Sequence, residues 1–227
     1  MNARDLSHAA IIFDLDGTLV DSAPDLTAAL NHVLETEGLN SVEPAIVRAY
    51  VGHGAKALLI KGLELQGREL PDGDECEALV ERFISYYRAH IADRSCLFDG
   101  VVPCLDQLEG WGAALTVCTN KLESLAFPVL EALGVKDRFS AILGRDTLVE
   151  HKPSGLPLRE ILRRTGRRTG VMIGDTATDL NAARNAGLPC AIAMFGYGVI
   201  DEPLRTKEQR FDHFEALPEL ILELLAD

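Results

Sequence analysis

Four short apolar runs, alternating with segments that have the periodicity of helices, constrain the fold of this chain more than any other feature. The runs are nearly continuous in apolar residues, as buried parallel strands are, and cover residues 9–14, 114–119, 171–175 and 190–194. Three helical patterns, each followed directly by a glycine, cover residues 123–133, 156–165 and 178–186. The alternation predicts an α/β fold, a Rossmann-like parallel sheet core with helices on both faces. Residues 205–227 are expected to form a helical tail.

A segment near the start of the chain interrupts this alternation. Behind Pro24, apolar residues follow helical spacing as far as Gly38. Two further helical patterns cover residues 55–65 and 75–92, with no strand-like run between them. We therefore expect an all-α domain inserted over residues 23–94. The core domain would then comprise residues 1–22 and 95–227.

Charge and cysteine content exclude several classes of protein. The chain carries 35 acidic and 22 basic side chains, a formal charge of −13, which disfavours nucleic acid or an anionic membrane as partner. No apolar run approaches the ~20 residues of a membrane helix, and the first residues lack the layout of a signal peptide. Five scattered cysteines argue against a disulfide framework. We expect a cytoplasmic protein that binds a small molecule.

The first predicted strand ends in two carboxylates, Asp14 and Asp16, followed by Gly17 and Thr18. One Asp after a strand is a common polar exit into a loop. Two carboxylates leaving a buried strand repel each other, and they are costly to bury unless a cation lies between them. The glycine allows the backbone to approach a ligand closely. The stretch indicates a cation or ligand site at this edge of the sheet.

Three later stretches follow further strands or precede helices, and each is weak evidence alone. Thr119 and Asn120 end a strand, where a hydroxyl and a backbone amide can bind phosphate oxygens. Lys152 stands before a proline-containing helix start, although a lone lysine is usually solvated. Asp175 and Asp179 bracket the start of a helix, where an Asp often acts only as the N-cap. Hard oxygen donors of this kind are the ligands that Mg²⁺ prefers.

Taken together and in order, these motifs resemble the haloacid dehalogenase superfamily of phosphotransferases, whose first motif is DxDGT after an apolar strand. Gly155 stands where the family's lysine motif has its middle proline, which affects loop rigidity rather than charge. The resemblance implies an Mg²⁺-dependent enzyme in which Asp14 is the nucleophile, Asp16 the general acid and base, and Lys152 the neutralising cation. It implies phosphate binding by Gly17, Thr119, Asn120 and Lys152, and metal binding by Asp14, Asp16, Asp175 and Asp179. The inserted domain would be a helical cap.

Residues around the insert and at 195–198 look like those of bacterial phosphoglycolate phosphatases. That resemblance implies a phosphatase acting on a small phosphorylated metabolite, in particular 2-phosphoglycolate, as a monomer or homodimer. His53 and Lys56 are expected to contact substrate when the cap closes, although the family more often has Asn at position 53. A sugar-phosphate phosphatase or a pyrophosphatase of the same fold stays open, and a sugar-phosphate mutase is a weaker alternative. Asp16 argues against a dehalogenase or a phosphonate hydrolase, and the complete motif set argues against a non-catalytic binding protein.

Overall fold

The computed structural model describes residues 4–226, which divide into two compact units. We call the part comprising Met1–Val20 and Leu97–Asp227 the core unit, and Asp21–Cys96 the inserted unit. The chain passes from one to the other through two short strands, β2 (Val20–Asp21) and β3 (Cys96–Leu97).

The core unit is built on a six-stranded sheet in the order β5-β4-β1-β6-β7-β8. All neighbouring strands run parallel. The strands are β1 (Ala9–Phe13), β4 (Ala114–Cys118), β5 (Ala141–Leu143), β6 (Thr169–Gly174), β7 (Cys190–Ala193) and β8 (Glu208–Phe211). The predicted α/β class with a parallel sheet is therefore confirmed. β8 falls in the segment expected to be a helical tail, so that expectation was correct only for its second half.

Helices cover the sheet, and the strands β1, β4 and β7 are buried along their whole length. Within the described residues, the α-helices of the core unit are α5 (Val101–Gly110), α6 (Glu123–Ala132), α7 (Leu156–Thr165), α8 (Ala177–Ala186) and α9 (Leu217–Leu225). α7 and α8 pack on each other and on the sheet, and α5 and α9 form a second such pair. Alternate residues of β1 point to opposite sides of the sheet, and Ala10 and Ile12 join the apolar cluster beneath α7 and α8.

The inserted unit is helical. It contains α1 (Ala23–Thr36), α2 (Pro44–Arg48), α3 (Ala55–Glu64) and α4 (Gly73–Ala89), and α1 packs against the other three. Asp25 in the first turn of α1 is buried and accepts hydrogen bonds from the backbone of Arg94 and Ser95 and from the Ser95 hydroxyl. These bonds tie the start of the unit to its end.

Helix length and the state of the cysteines are two further general properties of the described residues. Among residues 4–226, every helix falls short of the length and apolarity that crossing a membrane requires. The five cysteines are all free thiols, and four of them are buried.

Candidate active site

The carboxyl ends of three adjacent strands bring the predicted catalytic residues together. Phe13 of β1 lies in register with Val117 of β4 on one side and with Ile173 of β6 on the other. Asp14 directly follows Phe13, and Thr119 and Asp175 come two residues after Val117 and Ile173. In an open parallel sheet this edge is where ligands bind.

Asp14 is a buried carboxylate with charged groups of both signs around it. Its carboxylate is buried, and Oδ1 lies 2.8 Å from Nζ of Lys152. Among the described residues, however, no donor meets this oxygen with the geometry of a hydrogen bond. Burial raises the pKa of Asp14 to about 7; Lys152 lowers it, whereas Asp179 and Asp175 raise it further. The site therefore holds more negative charge than its own groups compensate.

Lys152 lies on the loop between β5 and α7, with its ammonium between two carboxylates. Nζ is 2.6 Å from Oδ1 of Asp179 as well as 2.8 Å from Asp14. Burial lowers the pKa of Lys152, but the two aspartates outweigh it and hold that pKa above its ordinary value. The loop is fixed because Asn120 donates to the Lys152 carbonyl oxygen at 3.0 Å, and Asn185 donates to that of Pro153. Lys152 is thus a buried, charged and fixed cation.

Asp175 follows β6 and is held by three donors. Thr18 donates from its hydroxyl to Oδ1 at 3.0 Å, and the backbone N–H groups of Tyr197 and Gly198 donate to Oδ2 at 2.7 and 3.2 Å. Burial raises the pKa of Asp175 to about 6, with a contribution from Asp179, although the N–H group of Tyr197 opposes the shift. The carboxylate is therefore oriented by its neighbours before any ligand arrives.

Two glycines make room for this carboxylate. Gly17 has φ +85°, and a Cβ there would lie 2.5 Å from Oδ2 of Asp175. A Cβ on Gly196 would lie 2.3 Å from the Asp175 Cβ. No side chain larger than hydrogen fits at either position without moving Asp175.

Asp179 lies in the first turn of α8, and its two oxygens contact different groups. Oδ2 accepts hydrogen bonds from the backbone N–H and the hydroxyl of Thr176, at 3.0 and 2.6 Å, which completes a capping box. Oδ1 accepts from Lys152. The N-cap of α8 is Thr176. Asp175 therefore does not cap the helix, and the N-cap role considered for it from the sequence is excluded.

A divalent cation fits the carboxylates at this edge. One oxygen from each of Asp14, Asp175 and Asp179 lies within 4.8 Å of the others. Ligands on opposite sides of an Mg²⁺ ion are about 4.2 Å apart, so the three oxygens are close to the required spacing. Buried carboxylates with raised pKa values are the environment that a cation stabilises.

Asp16 is paired with a second lysine, Lys121. Its oxygens are 2.9 and 3.1 Å from Nζ of Lys121, and both side chains are nearly inaccessible to solvent. Turns position it, because Gly17 N–H donates to the Val20 carbonyl oxygen and Val20 N–H to that of Leu15. The role of Asp16 as a metal ligand stays a prediction.

Two of the predicted phosphate-binding residues lie on the loop after β4. Thr119 is buried, and its hydroxyl oxygen accepts the N–H of Lys121 at 3.1 Å, which leaves the hydroxyl proton to donate elsewhere. Asn120 supports Lys152, as described, and its Oδ1 is buried without a hydrogen-bond partner in the described part of the chain. The phosphate contacts of Gly17, Thr119 and Asn120 remain predictions.

His53 and Lys56 belong to the inserted unit and are exposed there. His53 stands between Gly52 and Gly54, both with φ of 90°, and its N–H donates to the Tyr50 carbonyl oxygen at 3.3 Å. Lys56 lies in the first turn of α3. Their contact with substrate stays a prediction.

Four residues that support this site were not predicted from the sequence. Thr18, Tyr197 and Gly198 hold Asp175, and Lys121 holds Asp16. Two of these act through backbone N–H groups, which every residue except proline has, so residue identity gives no signal. Lys121 directly follows the Thr119-Asn120 pair, and its proximity to a predicted phosphate site was an available signal.

The parallel sheet makes this an α/β protein, and the polar cluster at the carboxyl edge of the sheet is its candidate active site. The family model of haloacid dehalogenase-like hydrolases matches residues 11–193, and the chain belongs to this family. The protein is a phosphatase.

Named relatives cover nearly the whole chain. A phosphoglycolate phosphatase of Caulobacter vibrioides is 45% identical over 89% of this chain and 85% of its own. One from Agrobacterium fabrum is 39% identical over 99% and 97%. The crystal structure of a predicted phosphoglycolate phosphatase from Haemophilus somnus superposes with a TM-score of 0.84 at 30% identity, covering 94% of this chain and 98% of that one.

Proposed function

We propose that this enzyme is an Mg²⁺-dependent phosphatase that hydrolyses 2-phosphoglycolate, a small phosphate monoester, through an aspartyl-phosphate on Asp14. It acts in the cytoplasm, as a monomer or homodimer, and its partner is this phosphorylated metabolite rather than nucleic acid or a membrane. The observation that carries the proposal is the contact of Asp14 with Lys152. A buried carboxylate that faces a fixed ammonium at the carboxyl edge of the sheet is suited to attack an anionic ester.

In the first step an oxygen of Asp14 attacks phosphorus, and the bond from phosphorus to the ester oxygen breaks. Asp16 gives its proton to the departing oxygen, so that the alcohol leaves neutral at that atom. Lys152 offsets the negative charge on the transferring phosphoryl oxygens. The hydroxyl of Thr119 and backbone N–H groups near Gly17 and Asn120 bind those oxygens.

In the second step Asp16, now ionised, removes a proton from water as the water oxygen attacks phosphorus. The bond between phosphorus and Asp14 breaks, which releases inorganic phosphate and restores the nucleophile. Asp14, Asp175 and Asp179, with Asp16 beside them, would hold the Mg²⁺. When bound, the ion neutralises carboxylate charge and draws electron density from the phosphoryl group. Burial of Asp14 excludes bulk water from the nucleophile.

The substrate is proposed from the relatives. The curated relatives named above are phosphoglycolate phosphatases, and their similarity extends over the inserted unit as well as the core unit. The test is a panel of phosphate esters and pyrophosphate assayed at matched concentration with Mg²⁺. We expect the highest kcat/KM for 2-phosphoglycolate. A higher value for a sugar phosphate or for pyrophosphate would contradict the substrate assignment and leave the phosphatase chemistry in place.

The covalent route has its own test. Rapid quenching during turnover of a radiolabelled ester should trap acid-stable protein-bound label on the peptide that contains Asp14. The Asp14→Asn variant should trap none and should lose at least about a thousandfold in kcat. Phosphate release by that variant at more than about a tenth of the wild-type rate would exclude Asp14 as the nucleophile.

A further inference from the structure

Lys121 is a second buried ammonium at the carboxyl edge of the sheet, and it contacts Asp16. Nζ lies 2.9 Å from Oδ1 and 3.1 Å from Oδ2, so the lysine contacts both oxygens of the carboxylate. Only 5% of the Lys121 side chain and 9% of the Asp16 side chain are exposed. Because water is largely excluded, the attraction between these two charges is stronger than in an exposed ion pair.

The backbone of Lys121 is fixed as well. Its N–H donates to the Thr119 hydroxyl oxygen at 3.1 Å, and its carbonyl oxygen accepts the N–H of Arg145 at 2.9 Å. Gly144 packs so tightly here that a Cβ would lie 2.9 Å from the Lys121 carbonyl oxygen. The ammonium is therefore built into the site rather than carried by a mobile surface side chain.

The two lysines at this edge contact different carboxylates, which gives them different roles in the proposed function. Lys152 lies between Asp14 and Asp179, where the phosphoryl group transfers. Lys121 lies beside Asp16, which in the proposed function protonates the ester oxygen. The first ammonium thus faces the phosphoryl group, and the second faces the group that leaves. The other charged side chains described at this edge are carboxylates, which would repel an anionic leaving group.

We propose that Lys121 is a specificity-determining residue that binds a carboxylate on the leaving group. The inference rests on the proposed function, because it places the ester oxygen beside Asp16. That oxygen must come within about 3.2 Å of Asp16 for proton transfer, and Nζ of Lys121 is 2.9 Å from the same carboxylate. A carboxylate one carbon away from the ester oxygen reaches about 4 Å from it, given ordinary bond lengths.

A single ammonium can serve both contacts. It has three N–H donors in a tetrahedral arrangement, so it can hold Asp16 and a substrate carboxylate together. A leaving group with a hydroxyl in place of the carboxylate makes no ion pair with it, although Asp16 stays oriented. Lys121 therefore favours esters with an acidic leaving group over neutral esters of the same length.

The experiment measures binding without turnover. In an Asp14→Asn background, the affinities for 2-phosphoglycolate and for 2-hydroxyethyl phosphate are determined by titration calorimetry with saturating Mg²⁺. Lys121→Met should weaken binding of 2-phosphoglycolate by about 10–100-fold and that of 2-hydroxyethyl phosphate by less than about threefold. Lys121→Arg should recover part of the preference, because it restores a cation. Lys136→Met removes a partly exposed ammonium paired with Glu131 and should change neither affinity.

Equal weakening for both ligands, or no weakening for either, would overturn the inference and leave Lys121 as a support for Asp16. The same two esters are then assayed for turnover with Asp14 intact. Loss of preference in Lys121→Met, measured as the ratio of the two kcat/KM values, separates carboxylate recognition from a general catalytic defect. If the wild-type enzyme binds 2-phosphoglycolate through Lys121 but does not hydrolyse it, the proposed function fails and the inference stands. A wild-type enzyme with no preference for the acidic ester refutes the inference whichever ester it hydrolyses.

Discussion

Lys152 holds Asp14 from a loop that is 138 residues away in the chain, with Nζ 2.8 Å from the carboxylate oxygen. The same ammonium is 2.6 Å from Asp179, so one cation links the end of β1 to the start of α8. Because all three side chains are buried, water cannot solvate either carboxylate if the lysine is removed. Catalysis and stability therefore depend on the same contact.

Replacement of Lys152 by Met should destabilise the metal-free protein by about 3–5 kcal/mol, because two buried carboxylates lose their shared partner. Mg²⁺ should restore a large part of that stability, since the ion supplies positive charge at the same place. Urea unfolding with and without Mg²⁺ measures both effects. Lys136→Met is the matched control, because its ion pair with Glu131 is partly exposed, and a change below about 1 kcal/mol is expected. An equal loss in the two variants would contradict the argument.

Asp14→Asn should stabilise the metal-free protein at high pH even though it abolishes turnover. Folding raises the pKa of Asp14 from its ordinary 3.8 to about 7, so the folded state binds this proton more tightly than the unfolded state. The associated stabilisation is complete below about pH 4 and is lost as the pH rises through about 7. Melting temperatures measured in chelator should fall more steeply between pH 5 and 8 for the wild type than for the variant. Parallel plots of melting temperature against pH would show that ionisation of Asp14 does not destabilise the folded protein.

Mg²⁺ should bind more weakly in acid because protons compete for the same carboxylates. Asp14 has a pKa of about 7 and Asp175 one of about 6 in the metal-free protein, and both must ionise to ligate the metal. We expect the dissociation constant at pH 5.5 to exceed that at pH 7.5 by about tenfold or more. Calorimetry in buffers of different ionisation enthalpy should also detect proton release on binding at pH 6. A dissociation constant independent of pH would exclude these residues as the ligands.

The sequence predicted the strands that are buried on both faces, because continuous apolar runs are distinctive. β1, β4, β6 and β7 were found in this way. β5 is only three residues long, Ala141–Leu143, which is too short for a pattern to be recognised. β8, Glu208–Phe211, is an edge strand that carries charged residues and contributes to the sheet through its backbone. Neighbouring strands in the folded chain, rather than local preference, define these two elements.

Residue types at the site were predictable where the side chain does the chemistry. The aspartates and Lys152 follow from motif order, and the structure brings Asp14, Asp175, Asp179 and Lys152 into contact range. The hydrogen-bond partners of Asp175 were not predictable, because the backbone N–H groups of Tyr197 and Gly198 carry no sequence signal. The pairing of Lys121 with Asp16 joins positions 105 residues apart, and it depends on the register of β4 with β1.

His53 and Lys56 are expected to act on selectivity rather than on the chemical step. Replacing either residue with alanine should lower kcat/KM for the true substrate by about tenfold, equivalent to about 1.4 kcal/mol. Hydrolysis of an aryl phosphate should change much less, because its leaving group cannot make the same contacts. Both side chains are exposed within the inserted unit, so the variants should keep wild-type stability. Equal losses on the two substrates would mean that this loop serves the fold or a closing motion and not recognition.

The enzyme should hydrolyse its substrate and not isomerise it. A mutase must keep water away from its aspartyl-phosphate and return the phosphoryl group to a rebound sugar. The related hexose-phosphate mutases have a histidine twelve residues after the nucleophile, which couples closure to proton transfer. Here that position is Leu26, a buried apolar residue of α1 that cannot transfer a proton. Asp16, in contrast, is present to activate water at the phosphorylated nucleophile.

Incubation with β-glucose 1-phosphate and a trace of bisphosphate primer distinguishes the two reactions, when glucose 6-phosphate and inorganic phosphate are followed together. We expect phosphate alone, with one oxygen of each phosphate derived from labelled water during multiple turnover. In a single turnover the label should appear in phosphate and not in the Asp14 carboxylate, because water attacks phosphorus and the bond from phosphorus to the Asp14 oxygen breaks. Water attack at phosphorus places the label in phosphate, and water attack at the carboxyl carbon places it in Asp14, so the position of the first label reports which bond breaks. Attack at phosphorus, as proposed, requires the first label in phosphate. Glucose 6-phosphate accumulating faster than phosphate would overturn the assignment as a hydrolase.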